Sequence, residues 1–167
     1  MISLIIIFLI TGIISGFMAG LLGVGGGIII VPISYFVLLY LDYSLDYAMH
    51  IAIASSLGVI CFTSISSIRT HIKLKNVNFI ILRTWVPGIV LGSLAGSYSA
   101  SIISGEILVN IFICLAFLIA LNMAFQKDPI IISKDLPKSK LINLIISSLI
   151  GFMSVLIGIG GGSFSVP

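Results

Sequence analysis

Charged residues cut the 167-residue chain into five uninterrupted uncharged blocks, at 2–41, 47–68, 84–105, 107–126 and 141–167. Each block is at least as long as the ~20 residues a helix needs to cross a hydrocarbon core. The blocks do not alternate apolar and polar positions, and they are too long for barrel strands. The pattern therefore predicts membrane helices, which satisfy their backbone groups internally. The first block does not fit a single helix. Forty residues of straight helix would reach ~60 Å, about twice the core. This block must be broken, bent, re-entrant or double-crossing.

The break is expected at "GLLGVGGGIIIVP", residues 20–32. Five glycines fall within eight positions there: Gly20, Gly23, Gly25, Gly26 and Gly27. Each glycine costs a helix interior ~1 kcal/mol relative to alanine. The run predicts an unwound stretch, followed by a new half-helix with Pro32 in its first turn. Proline suits that place because its missing N–H would have no helical partner anyway.

The same pattern closes the chain. "GFMAGLLGVGGGIIIVP" (16–32) aligns with "GFMSVLIGIGGGSFSVP" (151–167) at a constant offset of 135, with ten of seventeen positions identical. This is an internal duplication, a feature of secondary transporters. Four spans before the second copy predict parallel repeats about an axis along the membrane normal. A re-entrant hairpin would instead give inverted repeats. The chain divides into a first repeat (1–126), a linker (127–140) and the start of a second repeat (141–167).

Composition agrees with this division. The chain is 59% hydrophobic and 8% charged, with mean hydropathy +1.33, against about 25% charged residues in soluble domains. All eight Lys and Arg fall at 69–83 and 127–140, whereas 42–46 and 104–106 carry only acidic residues. The positive-inside rule places the two basic loops in the cytoplasm and the acidic ones outside. A single crossing by the first block then leaves the N-terminus cytoplasmic. The first block has no basic flank and no clear cleavage site, so it reads as a retained helix rather than a signal peptide. The net charge of +3 reports orientation in a plasma (inner) membrane, not nucleic-acid binding. Membrane lipid is the expected surrounding.

The repeated break is the candidate binding site. A helix N-terminus carries free N–H groups and roughly +0.5 of a charge, which suits a small anion. No charged side chain lies within the blocks to do the same work. The candidate substrate residues are Gly23, Gly25, Gly26, Gly27 and Pro32 in the first copy. In the second they are Gly158, Gly160, Gly161, Gly162 and Ser163. Two other glycine sets, Gly12–Gly16–Gly20 and Gly88–Gly92–Gly96, are spaced by four and read as packing faces. Ser93, Ser97 and Ser101 share one face of the third block and read the same way.

His50, one turn from Asp46, and His71 in the basic loop read as interfacial groups, with proton relay as the alternative. Arg69 and Arg83 read as cytoplasmic anchors, and Trp85, Tyr40, Tyr43 and Tyr47 as interface belts. Cys61 and Cys114 are isolated hydrophobes, so neither a disulfide framework nor a metal site is expected. The blocks hold no paired carboxylates, no H-E-x-x-H and no Ser/His/Asp grouping, so no enzyme activity and no cofactor are expected. Phosphate-loop and dinucleotide spacings are also missing. No carboxylate within the spans is available to carry a coupling proton.

"GFMAGLLGVGGGIIIVP", "AIASSLGVI" (52–60), "RTHIKLK" (69–75) and "WVPGIVLGSLAGSYSA" (85–100) together resemble the TauE/SafE family of sulfite exporters and related membrane transporters. The resemblance covers essentially the whole chain. It implies a two-repeat carrier of small anions, sulfite and organosulfur acids among them. Ser55 and Ser56 match the family's hydroxyl pair and could bond an oxyanion or their own helix carbonyls. The expected fold is an all-α integral membrane protein: a four-span repeat with a glycine-broken first segment, plus the first segment of a second repeat. Family members continue through the second repeat, so the chain reads as cut at its start. Function then requires a homodimer or a separately supplied second half. The alternative is an inactive fragment or a structural membrane subunit.

Overall fold

A computed structural model describes residues 2–22, 26–75, 79–125 and 140–160. These residues form six α-helices: α1 (Ile2–Leu22), α2 (Gly27–Tyr40), α3 (Leu45–Lys73), α4 (Phe79–Ile102), α5 (Gly105–Phe125) and α6 (Lys140–Ile157). There are no strands among them. Three helical segments are long and apolar enough to cross a membrane: Leu4–Leu21, Leu45–Lys73 and Lys140–Ile157. The chain is thus an all-helical membrane protein.

The first uncharged block divides into α1 and α2. In a continuous helix, Ser15 and Gly26 would lie ~16 Å apart. Instead the Ser15 hydroxyl donates to the Gly26 carbonyl at 3.0 Å, so the chain turns back on itself between the two helices. The 14 residues of α2 span only ~21 Å, too short to cross the core, and α2 is a half-helix. It begins earlier than the proline predicts. Gly26 already has right-handed helical angles, and Gly27 is the first helical residue. Pro32 therefore falls in the second turn, where it supplies no N–H to the carbonyl of Ile28. Two of the three consecutive glycines serve as helix cap and first turn rather than as unwound chain.

A tight turn joins α2 to α3. Asp42 has φ +61°, and its N–H and that of Tyr43 bond back to Leu39 and Leu38 (3.1 Å each). This is a Schellman cap built on aspartate. Ser44 then caps α3 by accepting from the Asp46 N–H at 3.3 Å. Nearby, His50 fastens two helices. Its Nδ1 lies 2.7 Å from the Asp46 carbonyl, and its Nε2 lies 2.9 and 3.1 Å from the carbonyls of Ala100 and Ile103. The histidine holds the end of α4 against the start of α3. Gly105 opens α5 directly against the backbone of Leu45 and Asp46, where a larger residue would not fit.

The most extensive helix pairing is between α4 and α6. Gly88 packs on Ser147, Gly92 on Ser148, and Gly96 on Phe152, while Gly151 packs on Ile89. Both numberings rise together, so the helices run parallel. In a membrane, burial of apolar area does not drive helix association; close backbone approach does. The glycines of α4 supply that approach. The serines expected beside them do not. Ser93 and Ser101 turn their hydroxyls back to Val90 and Tyr98 of their own helix (3.0 and 2.7 Å), and Ser97 is exposed. The other glycine set behaves differently again: nothing lies within 4 Å of a Cβ added to Gly12, Gly16 or Gly20.

Two alanine substitutions test this packing. Gly92→Ala forces a methyl group into the backbone of Ser148 and should cost ~1–3 kcal/mol. Gly12→Ala meets no atom of the chain and should be neutral, or stabilising by up to ~1 kcal/mol through helix propensity. Denaturant unfolding of the two variants in detergent checks both values.

Candidate functional site

The two copies of the glycine motif break at the same place. The helix α1 ends at Leu22 and α6 ends at Ile157, which are 135 positions apart. The geometry of the second break is explicit. Gly158 has φ +70°, its N–H bonds to Val155 at 3.1 Å, and the Ile159 N–H bonds to Ser154 at 3.2 Å. These two bonds form a Schellman cap with glycine at the left-handed position. Gly160 follows with φ +73°. Both residues use conformations that cost other L-residues about 1–2 kcal/mol.

The break of α6 docks on the break between α1 and α2. Gly27 lies against the Gly158 carbonyl and the Ile159 Cα so closely that even a methyl group has no room. The Ser56 hydroxyl donates to the same Gly158 carbonyl at 2.7 Å, and Ser56 is 0% exposed. Val31, Ile53, Leu156, Ile157 and Ile159 pack the surroundings as part of one buried apolar cluster. From the adjoining ends of α2 and α3, Gly27 and Ser56 lie ~20 and ~17 Å along their helices, close to half a bilayer. The meeting point is therefore near the membrane midplane.

This point is polar only through backbone and hydroxyl groups. The first N–H groups of α2 have no helical acceptor by position, and the helix dipole makes that end positive. Ser15, 1% exposed, holds the Gly26 carbonyl from α1. Ser154, also buried, supplies the carbonyl of the second cap, while its own hydroxyl has no partner among the described residues. No charged side chain lies on α1, α2 or α6 beyond the terminal Lys140, and no cluster of three or more His, Cys, Asp or Glu side chains that could hold a metal ion occurs among the described residues. An open groove along α4, lined by Phe79, Leu82, Arg83, Val86 and Pro87, lies at the opposite end of that helix from the break.

Of the residues singled out in the sequence, the structure brings together Gly26, Gly27, Ser56 and Gly158. Gly160 packs on Ile60 of α3. Ser55 is exposed and does not reach the junction. Ser56 does, bonding neither its own helix nor open space but the second copy of the motif. Pro32 is half-buried one turn along α2. Gly23, Gly25, Gly161, Gly162 and Ser163 lie outside the described residues. Sequence reading missed Ser15 and Ser154. Ser15 lies one residue before the repeated motif, and its counterpart at the offset of 135 is Ile150, so the duplication gave it no signal. Ser154 replaces Ala19 and was visible only as a difference between the copies.

A membrane fold in which a half-helix begins against the capped end of another membrane helix has the kind of helix-terminus site that secondary transporters use. The comparisons narrow this class. The model of the family described as "Sulfite exporter TauE/SafE" matches residues 8–167, and the chain belongs to that family. It is 35% identical over 169 residues to a "Probable membrane transporter protein" of Haemophilus influenzae, covering 100% of this chain and 63% of that one. It is 29% identical to the "Probable membrane transporter protein YunE" of Bacillus subtilis, over 97% of this chain and 66% of that one. A relative of the same description in Methanocaldococcus jannaschii is 35% identical over 96% of this chain and 60% of its own. The chain thus spans about 60–66% of the length of these curated relatives. No solved structure matches.

Removing the side-chain bond that Ser56 makes across the junction should be costly. Ser56→Ala leaves the buried Gly158 carbonyl without its donor, at ~1–3 kcal/mol. Ser55→Ala, on the exposed side of the same helix, should change stability by less than ~0.5 kcal/mol. Paired thermal melts in detergent measure the difference.

Proposed function

We propose that the chain forms the first repeat, and the opening of the second, of a carrier for small anions. Sulfite and organosulfur acids are the proposed substrates. The observation that carries the reading is the meeting of two broken helices, Gly27 against Gly158, with Ser56 fastening them. A substrate oxyanion is held by the backbone N–H groups at the start of α2 and by those of the glycines that follow the second cap. The glycines allow it close to the backbone, and Ser154 is the buried hydroxyl at the motif with no partner among the described residues, whereas Ser56 donates to Gly158 and holds the junction together. Gly23, Gly25, Gly161, Gly162 and Ser163 complete this proposed set, together with Pro32. Such a site has no fixed cation and binds moderately, as a carrier that must release its substrate requires. The family description supports the sulfur oxyanion.

The reading is of transport, without catalysis, in the plasma membrane. Loops 69–83 and 127–140 face the cytoplasm in the orientation favoured by the positive-inside rule. The basic residues there raise the local concentration of anions. A coupling proton has no carboxylate to use on α1, α2 or α6.

Radiolabelled sulfite flux in proteoliposomes tests the proposal. The wild-type chain should carry sulfite above empty vesicles. Gly27→Val, which drives a side chain into Gly158, should lower flux at least tenfold. Equal flux in the two proteins would remove the junction from the transport path. Background flux in the wild type would favour the alternative reading, an inactive or structural subunit.

A further inference from the structure

The helices α1 and α6 are the same element in two repeats, and the structure covers opposite faces of them. On α1, Thr11 and Ser15 are buried, and Ser15 bonds to Gly26 at the head of α2. The counterparts on α6 at the offset of 135 are Ile146 and Ile150. Ile146 is 40% exposed and Ile150 half-buried. The face of α6 that is covered is the other one. Ser147, Ser148 and Gly151 lie under Gly88, Gly92 and Ile89 of α4. Their counterparts on α1 are Gly12, Ile13 and Gly16, all exposed, and no atom lies within 4 Å of a Cβ at Gly12, Gly16 or Gly20. Each broken helix thus has two faces, one for its own half-helix and one for a long helix of the other repeat. Among the described residues, each has only one of the two.

We propose that the Gly12–Gly16–Gly20 face of α1 is the docking surface for the second-repeat counterpart of α4. That partner is a membrane helix with small residues four apart, running parallel to α1 as α4 runs parallel to α6. The duplication carries the assignment, because a rotation that places α1 on α6 places this missing helix on α4. The length fits as well. The 169 matched residues are 63% of the H. influenzae relative, which leaves about 100 of its residues unmatched. That is close to the stretch from Gly27 to Phe125, which holds α2 to α5. The chain's own α4 is already engaged by α6, so the face is assigned to a second-repeat helix rather than to another copy of this chain. The surface is independent of the substrate, and it stands or falls apart from the proposed transport activity.

The probe is a synthetic peptide of residues 79–102 carrying Ile89→Cys, a stand-in for the counterpart helix. It is reconstituted in 3:1 phosphatidylcholine:phosphatidylglycerol vesicles with the chain carrying Gly16→Cys in a Cys61→Ser, Cys114→Ser background. Because Gly151 abuts Ile89, its counterpart Gly16 should meet position 89 of the peptide. Mild oxidation should link peptide to chain. Adding Gly12→Leu and Gly20→Leu to the chain should cut the yield at least tenfold, and so should leucine at positions 88, 92 and 96 of the peptide. The α1 substitutions enter open space, so the chain's melting temperature should stay unchanged, which separates lost docking from lost folding. Three results would overturn the proposal: linkage insensitive to the leucines, chain-to-chain linkage through position 16, or no linkage with the fold intact.

Discussion

The structure depends on backbones approaching without side chains between them. Lipid is as apolar as the helices it surrounds, so apolar burial gives these helices little reason to associate. Dispersion contacts and hydrogen bonds must do so, and both require proximity. Glycine supplies it at three of the helix crossings. Gly88, Gly92 and Gly96 bring α4 onto α6, Gly105 brings α5 onto α3, and Gly27 admits the carbonyl of Gly158. The last contact matters most, because it joins the two copies of the repeated motif. One hydroxyl, from Ser56, fixes it.

That contact also explains the chemistry on offer. A helix that stops in the membrane leaves N–H and C=O groups that must find partners. At the second break, the Schellman cap closes the carbonyls of Ser154 and Val155, and Ser56 takes that of Gly158. At the first, the Gly26 carbonyl accepts from the Ile29 and Ile30 N–H groups of α2 and in addition from the Ser15 hydroxyl. These bonds account for carbonyls. The start of α2 keeps a positive end near the midplane without any cation in the helix. The same economy that makes the break tolerable in a membrane leaves it suited to anions.

Much of this was legible in the sequence. Uncharged blocks gave the helices, and the excess length of the first block required its break. The offset of 135 located the second break, and α1 and α6 end at equivalent residues. Other features depend on tertiary geometry that a linear pattern does not carry. Pro32 suggested a later start for α2, yet Gly26 already has helical angles, with its carbonyl held by Ser15 of α1. Ser55 and Ser56 are adjacent and chemically alike, and only the orientation of α3 decides that Ser56 meets Gly158. The two sets of four-spaced glycines are indistinguishable as patterns. One is filled by α6, and the other has no partner among the described residues.

The central claim is that the two glycine breaks meet. Short-span chemical crosslinking in native membranes tests it most directly, using Ser56→Cys with Ile159→Cys in a background lacking Cys61 and Cys114. The account predicts efficient intramolecular linkage, since the side chain at 56 reaches the backbone at 158. Two cysteines that each react singly with the reagent but never link to one another would contradict it.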